Sequence, residues 1–469
     1  MLYQAPIYWA RFAGQALPAV PQGSLTHGMI EGGRSMKKLL CLALALLLTL
    51  SLAGACAEPR TVTFWHCFGG TIGEAIQAIV DAFNESHEDI QVIAQFQGAY
   101  DDTLTKLKAA LPAGEGPDVF QMFELGTCYL SGTDYVIPFQ DMLDKDPYIS
   151  LDQVEGVLRN YYTVNGKMMC IPINPSSPVM YYNKTAFEKA GITEVPTTFA
   201  EIEAIADQVT GVEGNPQYAM GLSIYGWFFE NLLAGTNNYY VNNENGRAGV
   251  ATAIEYDTNG GGKLVLESWK HLVDEGVCYN FGVDNAGSRA AFIAGTTAIT
   301  FDSTAQLSSI TNGADFEVGV AYLPSVLDKS IGGVLIGGAN LWLTKNADEQ
   351  KVNDAWQFIK FATSAEPAAK FSMATGYFAA NTTAYEVPEY VAYLEANPNA
   401  NVALNQLHDS PLNNVTAGAN VGVMTELRQI WQENMDLYLQ GAFSTEDALA
   451  EMAAQSNAAI AYYNQTAGK

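Results

Sequence analysis

Apolar residues recur at helical spacing in Ile72, Ile76, Ile79, Val80 and Phe83, and at alternate positions in Ile90, Val92, Ala94 and Phe96. The first set shares one face of a helix and the second one face of a half-buried strand. Ahead of them, Thr61 to Trp65 has the β-branched and aromatic composition of a strand, and His66 to Gly70 that of a loop. Thr71 and Glu74 stand at capping-box spacing. Strand, helix, strand predicts a βαβ unit in a largely parallel sheet, whose ligands sit beyond the carboxyl ends of the strands. That rule points at His66 to Thr71 and at Tyr100. Tyr100 opens a second helix carrying Leu104, Leu107 and Leu111, and the segment 116–124 is a strand ending on Glu124. Glu124 is read in two ways, as an acceptor for ligand hydroxyls or as a solvated cap of the next segment.

The stretch from Ile171 to Lys184 holds three prolines and two serines, Ser176 and Ser177. Proline fixes φ and removes a donor, so neither a helix nor a central strand is expected before Val179. A rigid extended segment suits a crossing between two lobes, while an ordinary proline-rich loop is the plain alternative. Helices are predicted from Thr185 to Ala190, Phe199 to Val209 and Leu264 to Asp274, with a strand from Tyr218 to Leu222. Between them, Tyr225 to Asn231 is an aromatic knot in which Phe228 and Phe229 read as core, and Trp227 as core or as a ring that stacks on a sugar or glycerol face. Asn237 to Gly262, rich in Asn and Gly, reads as a surface excursion. The run from Ala290 to Thr304 reads as helix, glycine and strand, presenting Ser303 and Thr304 at its end. Gly337 and Gly338 would let backbone N–H groups approach a ligand that a Cβ would obstruct, or would form a simple turn. The C-terminal third is helical, interrupted at Thr375 to Tyr377. There Arg428 suits a phosphate or a hydroxyl pair, with a helix-surface salt bridge as the alternative.

The chain has 469 residues and a formal charge of −27. The length implies two or three domains or lobes, and the charge argues against nucleic acid or anionic lipid as partners. Lys37 and Lys38 precede an apolar run ending Leu52-Ala-Gly-Ala-Cys56, the form of an export signal with Cys56 as a lipidated residue. Ordinary cleavage after Ala55 is the alternative, and an uncleaved span the third. Residues 1–35 sit awkwardly before such a signal. Met36 is the expected start, with 36–55 the signal peptide, and a peptide from 1–35 in native cells would refute it. Cys67, Cys128, Cys170 and Cys278 match no zinc or redox spacing and read as buried thiols or one or two disulfides. His66 beside one cysteine is no metal site, so no metal and no cofactor is expected.

The crossing at 171–184, the Pro-Asp-Val strand at 117–124, Thr375-Gly-Tyr377 and the glycines at 332–338 occur in an order that resembles extracellular solute-binding proteins of ABC importers. The glycerol-3-phosphate-binding branch is the nearest match. The resemblance implies an α/β, two-lobed periplasmic-binding-protein-like fold of type II with three inter-lobe crossings and a ligand cleft between the lobes. It implies lobe one at 58–172 and 300–342, and lobe two at 173–299 and 343–469. Carried over residue by residue, it implies ligand contacts at Tyr100, Glu124, Ser176 or Ser177, Trp227, Ser303, Gly338, Tyr377 and Arg428. It further implies a monomer that hands a sugar or glycerol phosphate to a membrane permease from an extracytoplasmic, lipid-anchored position. A second arginine that the branch carries is replaced near Asn420, which leaves a neutral sugar or a glycerol-containing diester open. A secreted glycosidase using cleft carboxylates and a ligand-free adhesin on the same fold are the competing readings. No His-Glu-x-x-His, Gly-x-Ser-x-Gly or Walker-type loop occurs.

Overall fold

A computed structural model describes residues 58–467. The expected start at Met36, the signal at 36–55 and Cys56 lie outside the described residues. Residues 59–467 form one compact unit. Its strands are β1 (Arg60–His66), β2 (Ile90–Phe96), β3 (Val119–Phe123), β4 (Val136–Ile137), β5 (Thr163–Val164), β6 (Lys167–Met168), β7 (Ile171–Ser176), β8 (Pro178–Asn183), β9 (Tyr218–Leu222), β10 (Cys278–Asn280), β11 (Thr297–Ser303), β12 (Val318–Ala321) and β13 (Gly337–Thr344). The first sheet runs β2-β1-β3-β13-β4, with β7 also pairing to β13. The second runs β10-β9-β11-β8-β12, and β5 and β6 form a separate hairpin. In each sheet the βαβ strands are parallel, as the alternating pattern predicts, while β13, β8 and β12 join antiparallel.

The proline-rich stretch behaves as its chemistry requires. β7 accommodates Pro172 and Pro175 because it pairs on one side only, with a register shift opposite Ala339 and Asn340. Pro178 is the first residue of β8, which lies between β11 and β12. The chain therefore passes from the first sheet to the second at Ser176–Pro178, and returns between β12 and β13. A third passage separates the helix Ala365–Thr375, packed on Gly70–Ser86, from Met424–Leu439, packed on Gly226–Gly235.

The expected lobe boundaries need redrawing. β11 and β12 belong to the second sheet because both pair with or through β8, so 300–336 does not join the first. Helix Glu349–Ala362 packs on β1 and β13, and so belongs with the first sheet rather than the second. Ser303 and Thr304 end a strand that stays in its own sheet. Gln406, buried in the helix Val402–His408, ties the passages together. Its Nε2 donates to Ser177 Oγ at 3.0 Å and to Pro178 O at 2.8 Å, and its Oε1 accepts from Leu323 N at 2.6 Å.

Two local expectations fail. Helix Gly70–Ser86 starts after Gly69 without a side-chain cap, so Thr71 and Glu74 make no capping box. The excursion 237–262 is not superficial: Tyr240, Val241, Asn245 and Tyr256 are buried. Asn243, Glu244 and Asn245 take left-handed φ of 55°, 53° and 61°, and the Asn245 carboxamide oxygen accepts from Tyr240 N at 2.7 Å. That side-chain bond offsets the cost of the left-handed turn. Cys67, Cys170 and Cys278 are buried thiols and Cys128 is partly buried, and among the described residues no disulfide joins them. Burial pushes Cys67 and Cys278 up to about 12, which makes them poor nucleophiles.

Candidate functional site

The carboxyl ends of β3, β7 and β11 and the start of β13 converge on one cavity of about 610 Å³. Every residue expected at the site lines it, except Ser177. Ser176 ends β7 facing the cavity. Ser177, wholly buried, turns away and accepts from Gln406, so successive serines serve opposite sides of the crossing.

One wall is aromatic. Tyr100 stacks on Phe123 with ring centroids 4.8 Å apart and planes at 7°, and Phe68 meets Tyr100 edge-on at 5.3 Å. A buried polar chain holds Tyr100 in place: Gln121 Nε2 donates to Asn174 Oδ1 at 2.8 Å, and Asn174 Nδ2 donates to the Tyr100 hydroxyl at 3.3 Å. Across the cavity Trp227 stands edge-on to Tyr225 and donates from Nε1 to Ile336 O at 3.3 Å. Phe228 and Phe229 are fully buried, as expected of core. Tyr377 completes this wall from the residue after the αL glycine Gly376.

Gly338 does more than admit a ligand. Its φ is +96°, and a Cβ there would stand 2.0 Å from Asn174 O on the neighbouring strand. At Gly337 a Cβ would stand 2.5 Å from the Trp227 ring. Both glycines are required by strand and ring packing, and they form the cavity wall as a consequence.

The rest of the lining includes an ionic cluster. Arg428, on the helix Met424–Leu439, bonds Glu230 through Nε to Oε1 and through Nη2 to Oε2 at 2.9 Å. The same Nη2 donates to Glu124 Oε1 at 3.1 Å. All three residues are buried. Arg428 is thus in a salt bridge, as its plain reading holds, yet inside the cleft rather than on a helix surface. Glu124 caps no solvated turn; it is buried against this guanidinium. Burial pushes Glu124 above the ordinary carboxylate range, and Arg428 pulls it back. A second pair, Arg289 Nε to Asp302 Oδ2 at 2.6 Å, closes the far end, where burial likewise raises Asp302. Ser303 accepts from Ala305 N at 3.2 Å and so caps the turn behind that pair.

The raised Glu124 has a testable consequence. A carboxyl whose folded pKa exceeds its unfolded value binds more protons when folded, so its contribution to stability is largest at low pH and falls as pH rises. Urea denaturation of Glu124→Gln and the parent from pH 4.5 to 7.5 should show the variant gaining on the parent as pH rises. A constant difference would mean that Arg428 cancels the effect of burial.

Sequence reading missed Glu230, Arg289, Asp302, Tyr225 and Gln432. Gln432 follows Arg428 by four residues and therefore shares its helical face, and it accepts from Gly226 N at 3.0 Å. That spacing was a usable signal. Glu230 carried none, because its partner Arg428 lies 198 residues away, whereas Asp302 lies only 13 residues from its partner Arg289. His66 is buried, with its pKa lowered by burial, and no group of potential metal ligands occurs among the described residues.

Residues 78–399 match the family model described as bacterial extracellular solute-binding protein. The chain is similar to the sn-glycerol-3-phosphate-binding periplasmic protein UgpB of Yersinia enterocolitica, 29% identical over 92% of this chain and 98% of that protein. It is equally similar, at 29%, to UgpB of Salmonella typhimurium over 87% of this chain and 94% of that one. Among solved structures, UgpB of Mycobacterium tuberculosis in complex with glycerophosphocholine matches with a TM-score of 0.71 at 22% identity, over 86% of this chain and 99% of that one. The sugar-binding protein MalE of Xanthomonas citri matches with a TM-score of 0.72 at 17% identity, over 87% and 99%. At such identities the structures bear on the fold, which is the two-lobed α/β architecture of periplasmic sugar-binding proteins. The relatives are binding proteins, not enzymes, and this chain belongs to the bacterial extracellular solute-binding protein family.

Proposed function

We propose that this protein captures a polyhydroxylated small molecule, a carbohydrate or a glycerol-3-phosphate-like ligand, and delivers it to the permease of an ABC importer. The observation carrying this reading is a cavity lined from both sheets, in which the rings of Tyr100, Tyr225, Trp227 and Tyr377 stand beside the acceptors Glu124, Ser176 and Asp302. Aromatic faces cover the C–H surface of a sugar or glycerol while Glu124 and Ser176 accept from its hydroxyls. Tyr100, Trp227, Ser303, Gly338, Tyr377 and Arg428 complete the proposed contacts. Rotation about the three passages would open and close the cavity, and contacts from both sides would favour the closed form once ligand enters. The protein acts outside the cytoplasm, as a monomer in this reading, with acyl chains on Cys56 holding it at the membrane.

The glycosidase reading is not favoured: Glu124 and Glu230 share one guanidinium, and neither is free to serve as acid and base on a glycosidic bond. Thermal unfolding of the processed protein with mono- and oligosaccharides, sn-glycerol 3-phosphate and glycerophosphocholine tests the proposal. A saturable rise in Tm with at least one compound, recovered intact, is expected. No rise with any of them defeats the proposal and favours the adhesin reading.

A further inference from the structure

Resting on the reading of this cleft as a solute site, we infer that Glu230 makes the protein select uncharged polyhydroxy ligands over phosphate monoesters. Glu230 stands outside the cavity lining, one layer behind Arg428, on the helix Gly226–Gly235. Its carboxylate takes the Nε–Nη2 edge of the guanidinium, one of the two two-pronged faces an arginine offers to phosphate. Glu124 takes Nη2 a second time from the other sheet. Among the described residues only Nη1, with its two N–H donors, bonds no protein acceptor, and a ligand hydroxyl needs one of them.

Among the described residues no other cation at the cavity is unpaired. Arg289, the only further basic residue lining the cavity, is already held by Asp302 at 2.6 Å, and no lysine reaches the lining. Asp101 and Glu124 add negative charge where a ligand would sit. A phosphate dianion would have to strip Arg428 from Glu230 and leave that buried carboxylate unpaired, or lie against carboxylates with no counter-charge. A neutral polyol does neither, because it donates hydroxyls to the same acceptors and exchanges no charge. The guanidinium is therefore a neutralised, oriented donor, and Glu230 decides that.

Calorimetric titration of the processed wild type and of Glu230→Gln with sn-glycerol 3-phosphate and with maltotriose tests the inference. The wild type should bind the phosphate with a Kd weaker than about 1 mM, and Glu230→Gln should bind it at least about tenfold more tightly than wild type. Maltotriose affinity should change less than phosphate affinity between the two. The conservative Glu230→Asp keeps the charge and should show no phosphate gain. If Glu230→Gln does not fold, Glu124→Gln removes the other charge on the same guanidinium and should move phosphate affinity in the same sense. Submillimolar phosphate binding by wild type overturns the inference while leaving the solute reading intact. So does equal phosphate affinity in folded wild type and Glu230→Gln. A wild type that responds to no saccharide and no phosphate defeats both.

Discussion

Arg428→Ala should lower folding stability by about 3–5 kcal/mol, the cost typical of removing one partner from a buried ion pair. The variant strands Glu230 and Glu124 inside the protein, both buried, with no cation between them. Part of the loss is recoverable, since Glu124, already pushed upward by burial, would take up a proton rather than stay charged. The double variant Arg428→Met, Glu230→Met removes the pair together and should regain most of the stability, because apolar side chains of similar volume replace buried ion pairs at little cost. Urea melts of the three proteins at pH 7 measure this. If Arg428→Ala loses less than about 1 kcal/mol, the guanidinium is solvated and the buried triad does not exist in solution.

Gly338→Ala is the second variant with a large expected effect, a loss of about 3 kcal/mol from overpacking combined with an unfavourable left-handed backbone. The new methyl would stand 2.0 Å from Asn174 O, a backbone atom that cannot swing aside. Asn174 also holds the Tyr100 hydroxyl, so the shift that relieves the clash would displace the aromatic wall. Stability and ligand affinity should therefore fall together. If the variant binds ligand weakly yet melts with the parent, the glycine serves the ligand approach alone and the packing argument is wrong.

Local chemistry made much of the molecule legible. Helix Gly70–Ser86 follows from Ile76, Ile79, Val80 and Phe83 on one face, and β2 from its alternation at Ile90 and Val92. The prolines at 172 and 175 announced an edge segment, because a residue without an N–H cannot serve a ladder on both sides. Less was legible where the answer depended on what lay across the fold. The capping box at Thr71 and Glu74 had the right spacing, yet the N-cap is Gly69, ahead of Thr71, so the box does not form. Asn and Gly between 237 and 262 read as solvent-facing composition. A buried asparagine satisfying a left-handed turn uses the same residue types for the opposite purpose.

Fold class, the alternation of strands and helices, and part of the cavity lining were legible in the chain, while Tyr225, Arg289, Asp302 and Gln432 were not. Those properties rest on periodicity, backbone restriction and the ordered resemblance of short motifs, all carried by neighbours in the chain. Which sheet each strand joins, which serine faces the cavity and what the charges at the site amount to depend on contacts between residues far apart in the chain. Glu124, Glu230 and Arg428 lie 304 and 198 residues apart in pairing, and burial rather than spacing sets their interaction. An arginine in a sequence is a free cation; in this fold it is bound on two edges, and that difference governs what the cleft can hold.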